Sequence, residues 1–392
     1  MNGPRPIPVT WDQVTAFRLG QHHLVPRAPA KDLTTVAGDM TGVQVQLRSA
    51  AQISLWSRVR DLQITQIEEA LERRALVIAA CMRQTLFLVP AEHLAVFVRG
   101  SARRAEKEIR WTLGKGVPER VVEAAIEATL SVLDRPLTRP EIAERASQAL
   151  GVQQQVVHGG GWGSRRKVAS VPVGELTFPV VDLLHLVAAR GVVCSGPRRD
   201  NKPTFVRADA WIPNWQDLSR EQAEDRLLRM YLRAFGPATA ADFALWSGMT
   251  LREAHQIWAR QQADIMPVEV EGWRAEVLRD DLDALVQASF EQASIRLLPY
   301  FDSFLLGHKD REHLVPMQQR RKVFRAQGWI APVVLVNGRA GAVWEHALEK
   351  ARLGVKVTPF DPLTPDMIDC IREESQGLGR FLGASDAEVL IQ

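Results

Sequence analysis

The sequence predicts an α+β fold, mainly helical, with about three tandem winged helix-turn-helix motifs and a C-terminal β-rich unit carrying one terminal helix. Three observations carry that prediction. Helix-like runs are followed by paired β-like runs, and this order recurs three times along the 392 residues. Helix starts are punctuated by Thr-x-x-Glu or Thr-x-x-Asp boxes, at Thr65–Glu68, Thr138–Glu141, Thr239–Asp242 and Thr250–Glu253. After Ala293 the pattern changes to short β-like runs, among them the pair flanking Asn337-Gly338, a strong hairpin signal. The boundaries that follow are 1–115, 116–215 and 216–292 for the three motifs and 293–392 for the β-rich unit.

Taken in order, Thr10 is a natural N-cap for a helix Trp11–Gln21. A helix to Met40 follows, then a strand through Val43–Leu47, a helix Ala50–Val59 and a capped helix from Thr65 to Arg73 or Arg74. Two β-like runs, Leu76–Cys81 and Thr85–Val89, close the first motif across Met82-Arg83-Gln84.

The second motif reads as a helix Glu119–Leu133, a capped helix to Leu150 and a Gly-rich loop at His158–Gly163. The basic cluster Arg165-Arg166-Lys167 comes next, then a helix Pro179–Arg190, and strands Gly191–Ser195 and Thr204–Arg207 around a basic turn. The third reads most clearly: a helix Arg220–Phe235, a short helix stopped by Ser247-Gly248, a helix to Gln262, and a hairpin Ile265–Val270 and Trp273–Leu278 across Glu271-Gly272. In the last unit, Ile295–Leu298, Val333–Val336, Gly341–Trp344 and Leu353–Phe360 read as strands and Pro365–Phe381 as the closing helix. The repeats share order rather than residues.

Composition narrows the function classes. Hydrophobic content of 46% and charged content of 24% are those of a globular protein, not a disordered one. The three cysteines, Cys81, Cys194 and Cys370, are scattered, which argues against a zinc site or a disulfide framework and fits a reducing, cytoplasmic setting. No metal and no cofactor is expected. The N-terminus lacks the apolar core of a signal peptide, and the most apolar stretch, Leu176–Val193, is interrupted by Asp182, His185 and Arg190, so no membrane span is expected. Net charge is only +3, yet just nine of the 49 basic residues are lysine. Codon bias in a GC-rich genome and a preference for the guanidinium fork in phosphate binding both account for that.

The stretch that organises the chain is Met40-Thr41-Gly42-Val43-Gln44-Val45-Gln46-Leu47. In an extended segment Gln44 and Gln46 project to the same side, with Val43, Val45 and Leu47 behind them. Two neighbouring primary amides can hold and orient a water molecule or a base edge, though neither takes up a proton near neutral pH. The same alternation also describes two polar residues on an ordinary half-buried edge strand.

Together with Trp246-Ser247-Gly248 and the stretch Leu298-Pro299-Tyr300-Phe301-Asp302 through Leu306-Gly307-His308-Lys309-Asp310-Arg311, this motif resembles the bacterial winged-helix DNA glycosylases of the AlkZ type. The similarity of order covers nearly the whole chain. It implies a positively charged concave surface framed by tandem winged helices, with the Gln-x-Gln motif, here Gln44 and Gln46, at the catalytic centre. A sister branch has an acidic residue at the second position. Gln46 instead resembles the branch found with DNA-alkylating antibiotics, whose members excise bulky adducts or unhook crosslinks as self-resistance enzymes.

The chemistry fits such residues. A purine alkylated at a ring nitrogen leaves as a neutral base, so it needs little general acid; what remains is to place a water and to stabilise oxocarbenium-like charge. No lysine lies in or beside the motif, which disfavours a Schiff-base lyase. Asp39 is the nearest acid in sequence and reads as a surface residue ending a helix, and His22-His23 has no partner at metal-ligand spacing. Candidates for gripping DNA are Arg165, Arg166, Lys167, Arg198, Arg199, Lys202, Arg320, Arg321, Lys322 and Arg339, each of which also reads as a solvated surface charge. His308, Lys309 and Arg311 join them because they fall in the distinctive stretch, in which Asp302 and Asp310 read as salt-bridge or capping residues. The tips at Arg83-Gln84 and Gly338-Arg339 are candidate groove probes, and the 11 tryptophans read mainly as core.

The expected function is therefore a monofunctional DNA glycosylase working as a monomer on double-stranded DNA that carries alkylated bases. A non-enzymatic winged-helix transcription regulator uses the same scaffold, but dimerises on a palindromic site. A scaffold that sequesters an alkylating drug is a third reading.

Overall fold

The computed structural model describes residues 5–103, 107, 116–159, 166–189, 193–200, 202–290 and 293–392. Arg165 lies outside them, as do most of the Gly-rich loop before it and the residues linking the second motif's last helix to its strand. The fold is α+β. Two compact units divide the chain, one made of Met1–Ala70 with Leu228–Gln392, the other of Leu71–Leu227.

The first unit joins both ends of the chain. Helix Trp11–Gln21 starts where expected, with the Thr10 side chain accepting from the Gln13 amide and Gln13 reaching back to the Thr10 amide. Helices Ala240–Ser247 and Leu251–Arg260 carry the same reciprocal caps, Thr239 with Asp242 and Thr250 with Glu253, and Gly248 ends the former in the left-handed region. The hairpin Ile265–Val270 and Trp273–Leu278 gains a third, parallel strand from Ile7–Val9. A five-stranded sheet then runs in the order Ile295–Leu298, Val333–Val336, Arg339–Glu349, Arg352–Pro359, Asp386–Ile391. Its apolar face buries Leu298, Val333 and Leu335 with Phe301, Phe304 and Leu314, and Leu19 and Leu24 of the N-terminal segment complete that core.

In the second unit, Leu76–Ala80 and Leu86–Pro90 pair antiparallel. Helices Glu119–Ser131, Arg139–Ala149 and Val180–Ala189 pack around Val122, Ile126, Ile142 and Leu183. A sheet of Val193–Arg199, Lys202–Arg207 and Leu137–Thr138 lies with them.

Several expectations are corrected. The strand predicted through Leu47 stops at Gln44; Gln46 and Leu47 form a bend, and the next helix is Arg48–Trp56. The alternation misleads because Val43 and Gln44 are both buried, so the segment has no solvent face to alternate with. Thr65 does not cap: its helix begins at Ile64, and the Gln66 side chain accepts from the Gln63 amide instead. Leu176–Pro179, where no strand was expected, pairs with Arg166–Val173, and the helix expected from Pro179 runs Val180–Ala189. The chain closes on the strand Asp386–Ile391, parallel to Arg352–Pro359, and not on the helix Pro365–Phe381. Among the described residues no helix is long and apolar enough to cross a membrane, and no group of three or more His, Cys, Asp or Glu is placed to hold a metal ion.

Candidate active site

The Gln-x-Gln segment is held from two sides. Helix Leu33–Asp39 ends in a tight turn in which Thr41 and Gly42 both adopt left-handed backbone, φ 58° and 86°. The Gly42 amide donates to the Ala37 carbonyl at 2.9 Å, closing the helix end and aiming the chain into Val43–Gln44. The Gly42 carbonyl accepts a hydrogen bond from Ser303 Oγ at 3.0 Å. Gln44 is 9% exposed, whereas Gln46, two residues on, is open to solvent. Leu47 then packs against the apolar cluster that holds Phe301, Val323 and Ile330.

Ser303 is itself fixed by its neighbour. Asp302 accepts from Arg58 Nη1 and Nη2 at 2.9 and 2.7 Å and from Ser54 Oγ at 2.7 Å, and it caps the following turn by accepting from the Phe304 amide. Both members of the Arg58–Asp302 pair are fully buried. Asp302 thus takes the structural role read from sequence. So does Asp310, which accepts from the Glu312 amide.

Two neighbours were given no chemistry by the sequence. His23 Nε2 lies 2.7 Å from Asp39 Oδ2, both side chains partly open to solvent, at the end of the helix that leads into the motif. His22 is buried against Phe235 and Phe304. Burial first, and then the nearby Arg58 cation, holds its imidazole well below the usual histidine range, so it is neutral.

The distinctive stretch beyond Asp302 is mostly internal. His308 is 2% exposed, with Nε2 on the Phe235 carbonyl at 2.9 Å; burial is the main cause that keeps it neutral. Its expected role as a DNA contact is corrected to an internal brace, since the ring faces protein. Arg311 is half-buried, donates to the His308 carbonyl and stacks 4.5 Å from the Phe324 ring; burial lowers its pKa to about 10, so it stays cationic. Lys309 is exposed while its amide donates to Asp242.

Lys309 and Arg339 line a cleft of about 660 Å³ with Asp12, Asp242, Asp310, Glu271 and Glu312. At the Gly338-Arg339 tip the arginine is exposed while the glycine is packed. Gly338 is buried, and a Cβ there would lie 2.1 Å from Thr15 Cγ2, so the turn is seated on helix Trp11–Gln21. Behind it Arg18 donates to the Gly236 and Pro237 carbonyls and to His313 Nε2 at 2.9 Å. Burial, and then Arg18, pushes the His313 pKa down to about 2.

The remaining cations fall into two groups. In the second unit Lys167 is exposed on its strand, and Arg198, Arg199 and Lys202 are exposed around the hairpin turn. Arg166 lies on the same strand as Lys167, and Arg199 forms an ion pair with Glu141, the capping carboxylate. In the first unit Arg320, Arg321 and Lys322 sit on the short helix Arg320–Val323, and Arg325 follows. Among the described residues none of these four forms an ion pair.

What sequence reasoning missed is the set of long-range partners: Arg58, Ser54 and Ser303 behind the motif, and His23 beside Asp39. Nothing local marks them, because each acts on a residue distant in sequence or across a turn.

A model of the family described as DNA glycosylase AlkZ-like matches residues 37–381. The chain is 30% identical, over 392 aligned positions, to an interstrand DNA cross-link repair glycosylase of Streptomyces sahachiroi, spanning 97% of this chain and 99% of that protein. The solved structure of the Streptomyces sahachiroi DNA glycosylase AlkZ superposes with a TM-score of 0.80 at 27% identity, covering 98% of this chain and all of that one. The match runs from the Gln44 motif through the distinctive stretch to the last helix, and the chain belongs to the AlkZ-like DNA glycosylase family.

Proposed function

We propose that this glycosylase hydrolyses the N-glycosidic bond of alkylated purines in double-stranded DNA, bulky N7-alkylguanines and crosslinked purines foremost, with Gln44 and Gln46 as the catalytic pair. The observation that carries the reading is the anchoring of Gly42 by Ser303, two residues before Gln44 and four before an exposed Gln46. A pre-set backbone lets neutral amides orient a water without reorganising during reaction. The reaction is monofunctional: water, not a lysine amine, attacks C1′ as the bond to the base breaks, and the alkylated purine leaves neutral because its ring nitrogen already bore the positive charge. An intact nucleotide has a poor leaving group and is spared. The likeness to a relative named for interstrand cross-link repair supports crosslinked DNA as substrate, and Gln46, which resembles the branch found with DNA-alkylating antibiotics, points to self-resistance as the setting.

In this reading tandem winged helices occupy 1–115, 116–215 and 216–292, ahead of the β-rich unit 293–392, and a cytoplasmic monomer grips DNA by its phosphates. Lys167, Arg198 and Lys202 of the second unit and Arg321 and Lys322 of the first serve that grip because they are exposed, with the partly exposed Arg320 beside the latter two. Arg165 and Arg166 belong with the first group by sequence. Lys309 and Arg339 face several carboxylates, which weakens their pull on phosphate.

The test is base release from a duplex with one N7-alkylguanine under single-turnover conditions. Gln44→Ala or Gln46→Ala lowers the rate at least about a hundredfold, about 2.7 kcal/mol of barrier, with DNA affinity retained. Release that survives both substitutions moves the site elsewhere.

A further inference from the structure

A small finger of chain rises next to the anchored motif, and the sequence did not announce it. Phe324 and Ile330 pair as an isolated antiparallel bridge, and the Arg325 amide donates to the Trp329 carbonyl at 2.8 Å. Between them Ala326, Gln327 and Gly328 form an exposed tip, with Gln327 and Gly328 in left-handed backbone, φ 58° and 78°. A non-glycine residue held there is sparsely populated backbone, which marks the tip as specifically shaped.

Trp329 stands on the flank of this finger. One side of the indole rests on Phe301, ring centroids 5.2 Å apart, and on the edge of Tyr300 at 5.7 Å, yet the residue remains 40% exposed. A large aromatic side chain is seldom left so open, and here a run of cations precedes it in the chain. Arg320, Arg321, Lys322 and Arg325 precede it, with no carboxylate partner among the described residues. Phe301, which supports the indole, is two residues from the Ser303 that holds Gly42. Phe324 and Ile330, the base of the finger, share their apolar cluster with Leu47, the residue after Gln46.

We propose that the finger Phe324–Ile330 is a DNA-contacting element in which the Trp329 indole stacks on a base unstacked at the lesion while Arg320, Arg321, Lys322 and Arg325 hold the flanking phosphates. The proposal rests on the glycosylase reading and adds the group that holds the distorted duplex beside Gln46. Indole stacking tolerates any base, because every base has a π-face, so Trp329 serves placement and not sequence choice. Unpaired guanidinium groups supply the salt-dependent grip.

The experiment uses the full chain and a duplex bearing a tetrahydrofuran abasic analogue beside a 2-aminopurine. Trp329→Leu keeps an apolar cover over Phe301 but cannot stack. It is expected to bind this duplex about tenfold more weakly than wild type and to lose the change in 2-aminopurine fluorescence, while Trp329→Phe keeps most of both. Binding within twofold of wild type with an unchanged fluorescence response overturns the proposal. A second measurement needs no destabilised protein. The part of the tryptophan emission that Trp329→Phe removes should become shielded from acrylamide when the duplex is added; emission left equally accessible overturns it.

The two readings fail separately. Wild type that releases no alkylated base, yet binds through Trp329, removes the glycosylase reading and keeps the finger as a DNA contact. Release and binding unchanged in Trp329→Leu remove the finger alone.

Discussion

Arg58 and Asp302, 244 positions apart, form a two-pronged ion pair with both side chains fully excluded from solvent. The pair joins the end of the helix after the Gln-x-Gln motif to the stretch that supplies Ser303, so it sets the distance across which Gly42 is held.

Removing one partner leaves a buried charge uncompensated. Asp302→Ala is expected to cost about 3–5 kcal/mol of stability by urea unfolding, and the double replacement Arg58→Met with Asp302→Leu to recover a large part of that. A double variant no more stable than the single one would show that the pair contributes more than desolvation relief.

Ser303→Ala removes one hydrogen bond from the Gly42 carbonyl and leaves the fold's buried charges alone. The expected stability loss is about 1 kcal/mol. Single-turnover release should fall more than that loss explains, with affinity for lesion DNA unchanged, because the bond positions the motif. Equal rates would reduce Ser303 to a packing role.

Gly338→Ala tests the seating of the hairpin tip on helix Trp11–Gln21. The added Cβ would lie 2.1 Å from Thr15 Cγ2, and the φ of 76° disfavours any side chain. Together these should destabilise the protein by about 1–3 kcal/mol, read as a lowered melting temperature.

Two buried histidines and a half-buried one make stability acid-sensitive. His313 is depressed to about 2, and His22 and His308 lie well below the usual range, in each case mainly through burial. A depressed histidine stays neutral in the folded state while the unfolded chain takes up a proton below a pH of about 6.5. Unfolding therefore binds protons, and stability falls as pH drops through that value, by up to about 1.4 kcal/mol per pH unit per histidine. Urea midpoints measured between neutral and mildly acidic pH should fall. His313→Gln, which keeps an acceptor for Arg18, should flatten the slope by one histidine's share.

The cations differ in what they can lend to DNA. Arg321→Ala should reduce the slope of log affinity against log salt by about 0.9, the share of one phosphate contact. Arg199 already faces Glu141, so Arg199→Ala should change the slope less. Equal changes would mean that the Glu141 pair opens on binding.

Much of the fold was legible because its signals are local. Thr10, Thr138, Thr239 and Thr250 each cap a helix through a residue three positions on, and those boxes are found where the sequence places them. Thr65 failed because the helix starts at Ile64, where the Gln66 side chain caps the Gln63 amide instead. Glu271-Gly272 and Asn337-Gly338 mark hairpins whose backbones adopt the positive φ those residues tolerate. The identity of the motif residues Gln44 and Gln46 was likewise readable, through resemblance.

By itself, then, the sequence determined the helices, most hairpins and the family, because capping, turn chemistry and periodicity act within a few residues. Tertiary structure alone decided that the motif strand ends at Gln44, that the last strand adds parallel to the sheet, and that His308 turns inward. It also set Ser303 on Gly42 and Trp329 on Phe301. Several of these depend on which surfaces bury each other far apart in the chain, across 73 positions for His308 and Phe235, 261 for Gly42 and Ser303 and 244 for Arg58 and Asp302. No local pattern encodes that choice, because the burial that favours it exists only once the chain has closed on itself.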